Sequence, residues 1–212
     1  MTRTPERLTH DFYTHYDTVD LARALLGKKL VTLSRGVRTS GVIVEVEGYL
    51  GKDDPACHAA RGMTPRNRVM FASPGHCYVY RIYGMSHCVN VVSDPEGFGS
   101  AVLIRAIEPI EGIDVMKRRR AGRVVRDLAR GPGRRCQAMG IRTSYSGEHF
   151  SESSRIWIEP HREIPHREIA TSGRIGISSG SDLPLRFYLK DSPSASGSSR
   201  SLRTKDSDDG ED

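Results

Sequence analysis

The sequence predicts an α+β fold built around an antiparallel or mixed β-sheet. Short β-type runs recur along the body of the chain and are joined by connections of hairpin length, a pattern that favours pairing between neighbouring strands. Helical patterns lie near both ends of the body and after Glu111, and they do not alternate with the strands, which argues against an alternating α/β architecture. A length of 212 residues suits one domain of ordinary size or two small ones.

The first element in chain order is a predicted helix over residues 19–26. Asp17 or Thr18 can cap its N-terminus, and Gly27 stands where a helix usually stops. Leu21 and Leu25 are four positions apart, so they share one apolar face of this helix. The β-type runs follow at residues 29–33, 41–49, 77–82, 88–92, 101–107, 155–158, 173–177 and 185–189.

The run at residues 41–49 has a clear alternation of side chains. Three valines occupy one face, which predicts packing on the core, whereas Glu45, Glu47 and Tyr49 share the other face. Carboxylates beside a phenol at a cleft are suited to general-base catalysis. The alternative is that both glutamates are ordinary solvent-facing strand residues.

Three tyrosines fall within six residues, Tyr78, Tyr80 and Tyr83, and Arg81 lies between them. This pattern is typical of a surface on which nucleobases stack. Tyr83 precedes a glycine at a predicted hairpin tip, where an exposed aromatic ring can act as a wedge between base pairs. The alternative is that the tyrosines simply pack the sheet.

The positive charge is concentrated in one block of the sequence. The chain has 32 Lys+Arg and 26 Asp+Glu residues, a formal net charge of +6. Residues 115–142 contain ten basic residues and one acid, Asp127. A run so one-sided favours contact with phosphates over the alternative of a solvated helix face. The arginines expected to contact a DNA backbone are Arg118, Arg119, Arg120, Arg134 and Arg135.

The C-terminal end differs in composition from the body. Residues 192–199 are Ser, Pro, Gly and Ala only, and acids dominate after them. Such a segment buries too little apolar surface to offset the entropy of ordering it. We therefore expect one domain over residues 1–191 and a disordered, Ser-rich acidic tail over 192–212.

Composition also excludes several classes of protein and site. No run of 18 apolar residues is present, and the N-terminus lacks the apolar core of a signal peptide, so we expect an intracellular protein of a bacterial cytoplasm or a nucleus. Four cysteines are too sparse for a disulfide scaffold. Because CxxC, HxxxH and Walker-type motifs are all missing from the sequence, we expect neither a metal nor a nucleotide cofactor.

An ordered set of motifs spans residues 18–190. It includes VEVEGYLG at 44–51, TPRNRVMF at 64–71, YVYRIYGM at 78–85, AVLIRAIEP at 101–109 and RIGI at 174–177. In this order the motifs resemble the alkyladenine (3-methyladenine) DNA glycosylases of the mammalian type. The resemblance implies a single compact domain in which a curved, mostly antiparallel sheet is flanked by helices.

The resemblance also implies an activity. The family acts in base-excision repair as monofunctional glycosylases that flip a damaged purine out of duplex DNA and hydrolyse its N-glycosidic bond, leaving an abasic site. The implied substrates are double-stranded DNA with 3-methyladenine, 7-methylguanine, hypoxanthine or ethenoadenine. The implied enzyme works as a monomer without metal or cofactor.

The family's functional residues can be carried over by matching motifs. Glu47 matches the general base that activates water, and Arg105 matches the residue that holds that water and a nearby phosphate. Asn90 matches a gate that can clash with the amino group of normal guanine. The matched pocket residues that contact the flipped purine are Tyr49, His58 and Tyr80, and Tyr83 matches the intercalating wedge.

Two further hypotheses belong to other classes. A lesion-binding nucleic-acid module could retain the fold without turnover, although the presence of both Glu47 and Arg105 argues against it. An O-glycoside hydrolase could use Glu45 and Glu47 as its carboxylate pair, but both would then lie on one side of the scissile bond. The residue after His58 is Ala59, where the family often has serine, and this departure bears on the substrate spectrum.

Overall fold

An eight-stranded antiparallel sheet, strongly curled into a half-barrel, organises the chain. The structure is a computed structural model that describes residues 6–82 and 86–196. The main path of the sheet runs β3-β4-β5-β2-β1-β6, and β8 pairs with both β2 and β7. The strands are β1 (Lys29–Ser34), β2 (Val37–Tyr49), β3 (Cys77–Ile82), β4 (Ser86–Ser93), β5 (Ser100–Glu111), β6 (Ile156–Glu159), β7 (Ile169–Ser172) and β8 (Arg186–Leu189). This single α+β domain confirms the predicted fold class.

Two helices precede the first strand, and three lie between β5 and β6. They are α1 (His10–Thr14), α2 (Thr18–Leu25), α3 (Ile113–Arg119), α4 (Val125–Leu128) and α5 (Pro132–Met139). The Asp17 side chain caps α2 by accepting a hydrogen bond from the Asp20 N–H at 2.8 Å, as the sequence predicts. None of the helices within the described ranges has the length and apolar run needed to cross a bilayer.

Strand β2 is the long central strand on which the rest of the sheet is built. It pairs with β5 along most of its length, with β1 over its first half and with β8 near its end. Irregular pairing between Ile43 and Val46 marks a β-bulge, a feature that bends a strand. The three valines pack in the core as predicted, but Glu45 and Glu47 are also fully buried. The solvent-facing interpretation of the two glutamates is therefore wrong.

Three local expectations differ from the structure. Residues 173–177 form no strand, and the strand of this region is β7, a few residues earlier. Helix α1 has no counterpart among the predicted elements. Residues 192–196 are packed, with Ser192, Ser194 and Ala195 at most 4% exposed, so the folded region continues past residue 191. The remainder of the expected tail, residues 197–212, lies outside the described residues.

Candidate active site

Backbone pairing aligns one row of side chains across five strands of the sheet. Tyr78 pairs with Asn90, Asn90 with Leu103, Leu103 with Glu47, and Glu47 with Arg186. Directly paired residues project to the same face of a sheet. The register therefore gathers residues that are more than a hundred positions apart in the chain on one face of the curled sheet.

A cavity of about 670 Å³ opens on this face. Aromatic rings, apolar side chains and a few polar groups line it, which is the composition typical of small-molecule and base-binding pockets. The lining residues that matter for its chemistry are Tyr49, His58, Met70, Tyr78, Tyr80, Asn90, Leu103, Arg105 and Ile175. Five of the predicted site residues line this cavity. The sixth, Glu47, lies directly behind it and contacts three of the lining residues.

Glu47 lies behind the cavity wall and is fully buried. Its Oε1 accepts a hydrogen bond from the Ile175 N–H at 2.8 Å and lies 3.2 Å from Arg105 Nη1. Its Oε2 accepts a hydrogen bond from the Tyr49 hydroxyl at 2.9 Å. A carboxylate has about four acceptor positions, so these three donors fix its orientation and leave about one position for a further donor.

Arg105 connects the two buried glutamates of β2. Its Nε donates to Glu45 Oε1 at 3.1 Å, its Nη1 lies 3.2 Å from Glu47, and the same nitrogen donates to the Ile175 carbonyl at 3.3 Å. Burial lowers the pKa of Arg105, but the Glu47 and Glu45 carboxylates outweigh this effect and shift it upward. The guanidinium is therefore a fixed cation at the cavity wall.

Tyr49 is held from two sides. Burial, followed by the charge of Glu47, raises the pKa of Tyr49, so its phenol remains a proton donor to the carboxylate. The Arg174 guanidinium lies 4.7 Å from the centre of the ring, within cation–π range. Arg174 also forms a buried ion pair with Asp54 and donates to the Gly48 carbonyl at 3.0 Å. These contacts attach the loop that precedes His58 to the loop that carries Ile175.

His58 forms an aromatic group with two tyrosines of β3. Its ring centre is 4.4 Å from that of Tyr80, and its Nδ1 lies 3.1 Å from the Tyr78 hydroxyl. Burial, with a smaller contribution from the Arg66 charge, lowers the pKa of His58. The imidazole is therefore neutral at neutral pH, and the Tyr78 contact restricts which ring nitrogen carries the proton.

Asn90 and the wedge residue have different outcomes. Asn90 lines the cavity and donates from its side-chain amide to the Tyr78 carbonyl at 3.0 Å. Tyr83, the predicted intercalating residue, lies outside the described residues. Within the described ranges, no three His, Cys, Asp or Glu side chains are placed to hold a metal ion.

The five arginines predicted to contact DNA are placed differently from one another. Arg118 and Arg134 are exposed. Arg119 donates to the Ala138 carbonyl at 2.9 Å and Arg120 donates to the Gln137 side chain at 2.6 Å, so both tie α3 to α5. Arg135 is fully buried. The expectation that Arg135 contacts a phosphate is wrong, because its guanidinium does not reach the surface.

Sequence reasoning missed two features of the site. The Ile175 N–H orients Glu47, and a backbone donor carries no side-chain signal in a sequence. The exposed Arg66, Arg68 and Arg81 line a groove of about 640 Å³ next to the cavity. Tyr80 lines both the groove and the cavity. These arginines stand among the stacking and loop motifs, outside the dense basic block.

Known proteins of one family are similar to this chain over most of its length. The model of the methylpurine-DNA glycosylase family matches residues 11–193. A protein of Methanoculleus marisnigri named "Putative 3-methyladenine DNA glycosylase" is 49% identical over 178 residues, 83% of this chain and 92% of that protein. Proteins with the same name from Chlorobaculum parvum and Prosthecochloris aestuarii are 47% and 45% identical, and the matches cover 90% and 94% of this chain and 91% and 95% of theirs. The chain therefore belongs to the methylpurine-DNA glycosylase family.

Proposed function

We propose that this protein is a monomeric, monofunctional DNA glycosylase that hydrolyses the N-glycosidic bond of alkylated or deaminated purines in double-stranded DNA. The observation that carries the proposal is the buried Glu47, hydrogen-bonded to residues that line an aromatic cavity. Methylpurines, hypoxanthine and ethenoadenine are the proposed lesions. A base inside a duplex cannot reach such a cavity, so the reaction requires the nucleotide to be flipped out.

The cavity suits a flipped purine by its aromatic content. Tyr49, His58 and Tyr80 supply rings, and a purine alkylated at N3 or N7 is cationic and is attracted to aromatic faces. Hypoxanthine carries no such charge, so its binding depends on hydrogen bonds, for which the neutral His58 is the proposed partner. Asn90 is the proposed gate against the exocyclic amino group of guanine.

The chemical step assigns one role to each polar group. Glu47 accepts a proton from a water that takes its remaining acceptor position. The water oxygen bonds to C1′ while the bond from C1′ to the purine nitrogen breaks, and the bonding electron pair leaves with the base. A base that is cationic before cleavage leaves as a neutral molecule, whereas an uncharged base such as hypoxanthine leaves as an anion and then takes up a proton from water. Arg105 holds the Glu47 side chain in place and faces the cavity as a cation for the sugar–phosphate.

Duplex contact is assigned to two groups of exposed arginines. The groove beside the cavity carries Arg66, Arg68 and Arg81, and Arg134 lies two residues after Pro132, which lines the cavity itself. Arg118 supplies a further exposed cation on α3. Phosphate contacts by these residues supply affinity that falls with salt, whereas the cavity selects the lesion.

The test uses duplex DNA with a single hypoxanthine or ethenoadenine, followed by alkali to cleave abasic sites. We expect strand cleavage with the unmodified protein and a loss of about 10²–10⁴-fold in Glu47→Gln, the contribution typical of a general base. Glu159→Gln is the matched control, because Glu159 is also a buried, cation-paired carboxylate but belongs to β6 at the opposite edge of the sheet.

The measurement separates catalysis from binding. Glu47→Gln is expected to retain affinity for lesion-containing duplex, measured by gel shift under the same conditions. Lesion binding without base release by the unmodified protein would contradict the proposal and favour a lesion-binding module that lacks turnover.

A further inference from the structure

A second buried carboxylate lies behind the proposed catalytic residues. Glu45 is fully buried and is not among the residues that line the cavity. Its Oε1 accepts hydrogen bonds from Arg105 Nε at 3.1 Å and from Arg186 Nε at 2.7 Å. Its Oε2 accepts a hydrogen bond from the Ser196 N–H at 2.9 Å. Both oxygens are thus occupied by groups of this chain.

The segment that supplies Ser196 is packed although its composition predicts disorder. We call residues 192–196 the C-terminal strap. The Ser192 hydroxyl donates to Glu108 Oε1 at 2.6 Å, the Ser194 N–H donates to the Ser192 hydroxyl at 3.2 Å, and Ala195 is 0% exposed. At its end, Arg186 donates to the Ser196 carbonyl. Polar contacts to two glutamates of the sheet therefore hold the strap against the back of the site.

The strap closes a cluster of four buried charges. Glu45, Glu47, Arg105 and Arg186 are each at most 7% exposed, and their formal charges sum to zero. Arg105 is common to both carboxylates, because its Nε contacts Glu45 and its Nη1 contacts Glu47. A guanidinium is a rigid planar fork, so fixing its Nε side against Glu45 determines where Nη1 meets Glu47.

A buried ion cluster of this kind is weak grounds for stability, because the desolvation of each ion offsets much of the attraction between them. Its value lies in geometry. If Glu45 were free to move, Glu47 and the Ile175 carbonyl would be the remaining polar contacts of Arg105 among the described residues. Glu47 and Arg105 could then shift together, because the contact that fixes Arg105 on the side away from the cavity would be lost.

We propose that Glu45 is a positioning residue for Arg105 and that the C-terminal strap is required to keep it in place. The proposal rests on the proposed function, since it assigns a role in the same reaction. Glu45 touches neither substrate nor reacting atoms and acts through Arg105 alone. Removal of the strap exposes Glu45 Oε2 to water and takes the carbonyl acceptor from Arg186.

The first experiment compares two truncations of the chain. One variant ends after Ser196 and retains the strap, and the other ends after Asp191 and lacks it. Base release from hypoxanthine duplex is measured in single turnover with saturating enzyme, so that the rate constant is independent of affinity and of the active fraction. We expect the first variant to match the full chain and the second to be slower by about tenfold or more, because small displacements of catalytic groups have effects of this size.

The second experiment tests Glu45 directly. Glu45→Gln keeps the size of the side chain but removes its charge and presents an amide to donors on every side. We expect the single-turnover rate constant to fall about tenfold or more, while the Kd for duplex carrying a stable abasic-site analogue changes less than about threefold. Glu159→Gln, measured in parallel, is expected to leave both quantities unchanged.

The split between rate and affinity distinguishes positioning from a general loss of structure. A rate constant unchanged in both Glu45→Gln and the variant ending after Asp191 would overturn the proposal. Equal losses of rate and affinity would also overturn it, since they would indicate a merely structural role. Failure of the proposed function is recognised separately, because the full chain itself would then release no base.

Discussion

Substitution of Arg135 should change the stability of the protein without changing its DNA binding. It stands in the middle of the basic block, yet it is fully buried at α5. Its Nε and Nη1 have no hydrogen-bond partner among the described residues, and its Nη2 contacts only the Cys136 sulfur, at 3.4 Å. Burial raises the pKa of Cys136, and the Arg135 charge offsets this only in part. The thiol is therefore neutral and cannot act as a counter-ion.

The magnitude follows from these unmet contacts. Each buried donor without a partner costs about 1–3 kcal/mol, and replacing a buried charge by an apolar side chain of similar volume is often stabilising by about 1–4 kcal/mol. Met has a similar length and adapts to irregular gaps. We therefore expect Arg135→Met to raise the free energy of unfolding by about 2 kcal/mol, measured by urea denaturation.

Arg134→Met is the matched control, because Arg134 is adjacent in sequence but exposed. Its stability should change by less than about 0.5 kcal/mol. The slope of log K for DNA against log salt should become shallower by about 0.9 if Arg134 neutralises one phosphate, whereas Arg135→Met should leave the slope unchanged. Destabilisation by Arg135→Met, or a shallower slope in that variant, would refute the reasoning.

Two further predictions concern the groups that shape the cavity. Tyr78→Phe removes the hydroxyl that contacts His58 Nδ1, so the excision rate for hypoxanthine should fall several-fold more than that for 7-methylguanine in parallel single-turnover assays. Asp54→Asn leaves the buried Arg174 without its carboxylate and should lower stability by about 3–5 kcal/mol in urea denaturation at neutral pH. Burial raises the pKa of Asp54, but Arg174 and two backbone N–H groups outweigh this and lower it. The deficit should therefore shrink as the pH falls through that lowered pKa in the unmodified protein, and a deficit that is constant with pH would contradict this assignment.

The alternation of side chains along β2 predicts which residues share each face of the strand. It does not predict which parts of the chain cover the face that carries the two glutamates. Three valines on one side correctly indicate core packing, and Glu45, Glu47 and Tyr49 follow on the other side. Whether that side meets water depends on β8 and on residues 192–196, which come from the far end of the chain. Local sequence cannot show that a distant arginine and a distant backbone N–H will cover a glutamate.

The strand interpretation of residues 173–177 was wrong for a related reason. The residues are small and β-branched enough to suit a strand, but the segment serves as a loop whose backbone reaches the site. The Arg174 side chain pairs with Asp54, and the neighbouring Ile175 N–H binds Glu47. A backbone N–H that is committed to a side chain in this way is not available for a strand ladder.

Charge density along the chain and charge density in space are different quantities in this protein. The block at residues 115–142 has more excess positive charge than the +6 of the whole chain, but its members divide between surface contacts and internal ones. Arg119 and Arg120 are engaged in joining α3 to α5, and Arg135 lies in the core. Arg66 comes from a region of the sequence that is not densely basic, yet it lines both the cavity and the adjoining groove. If phosphates follow the path of the flipped nucleotide, the arginines nearest the cavity should dominate the salt dependence of lesion binding. The number of basic residues in the block at 115–142 should then matter less than how many of their side chains are exposed.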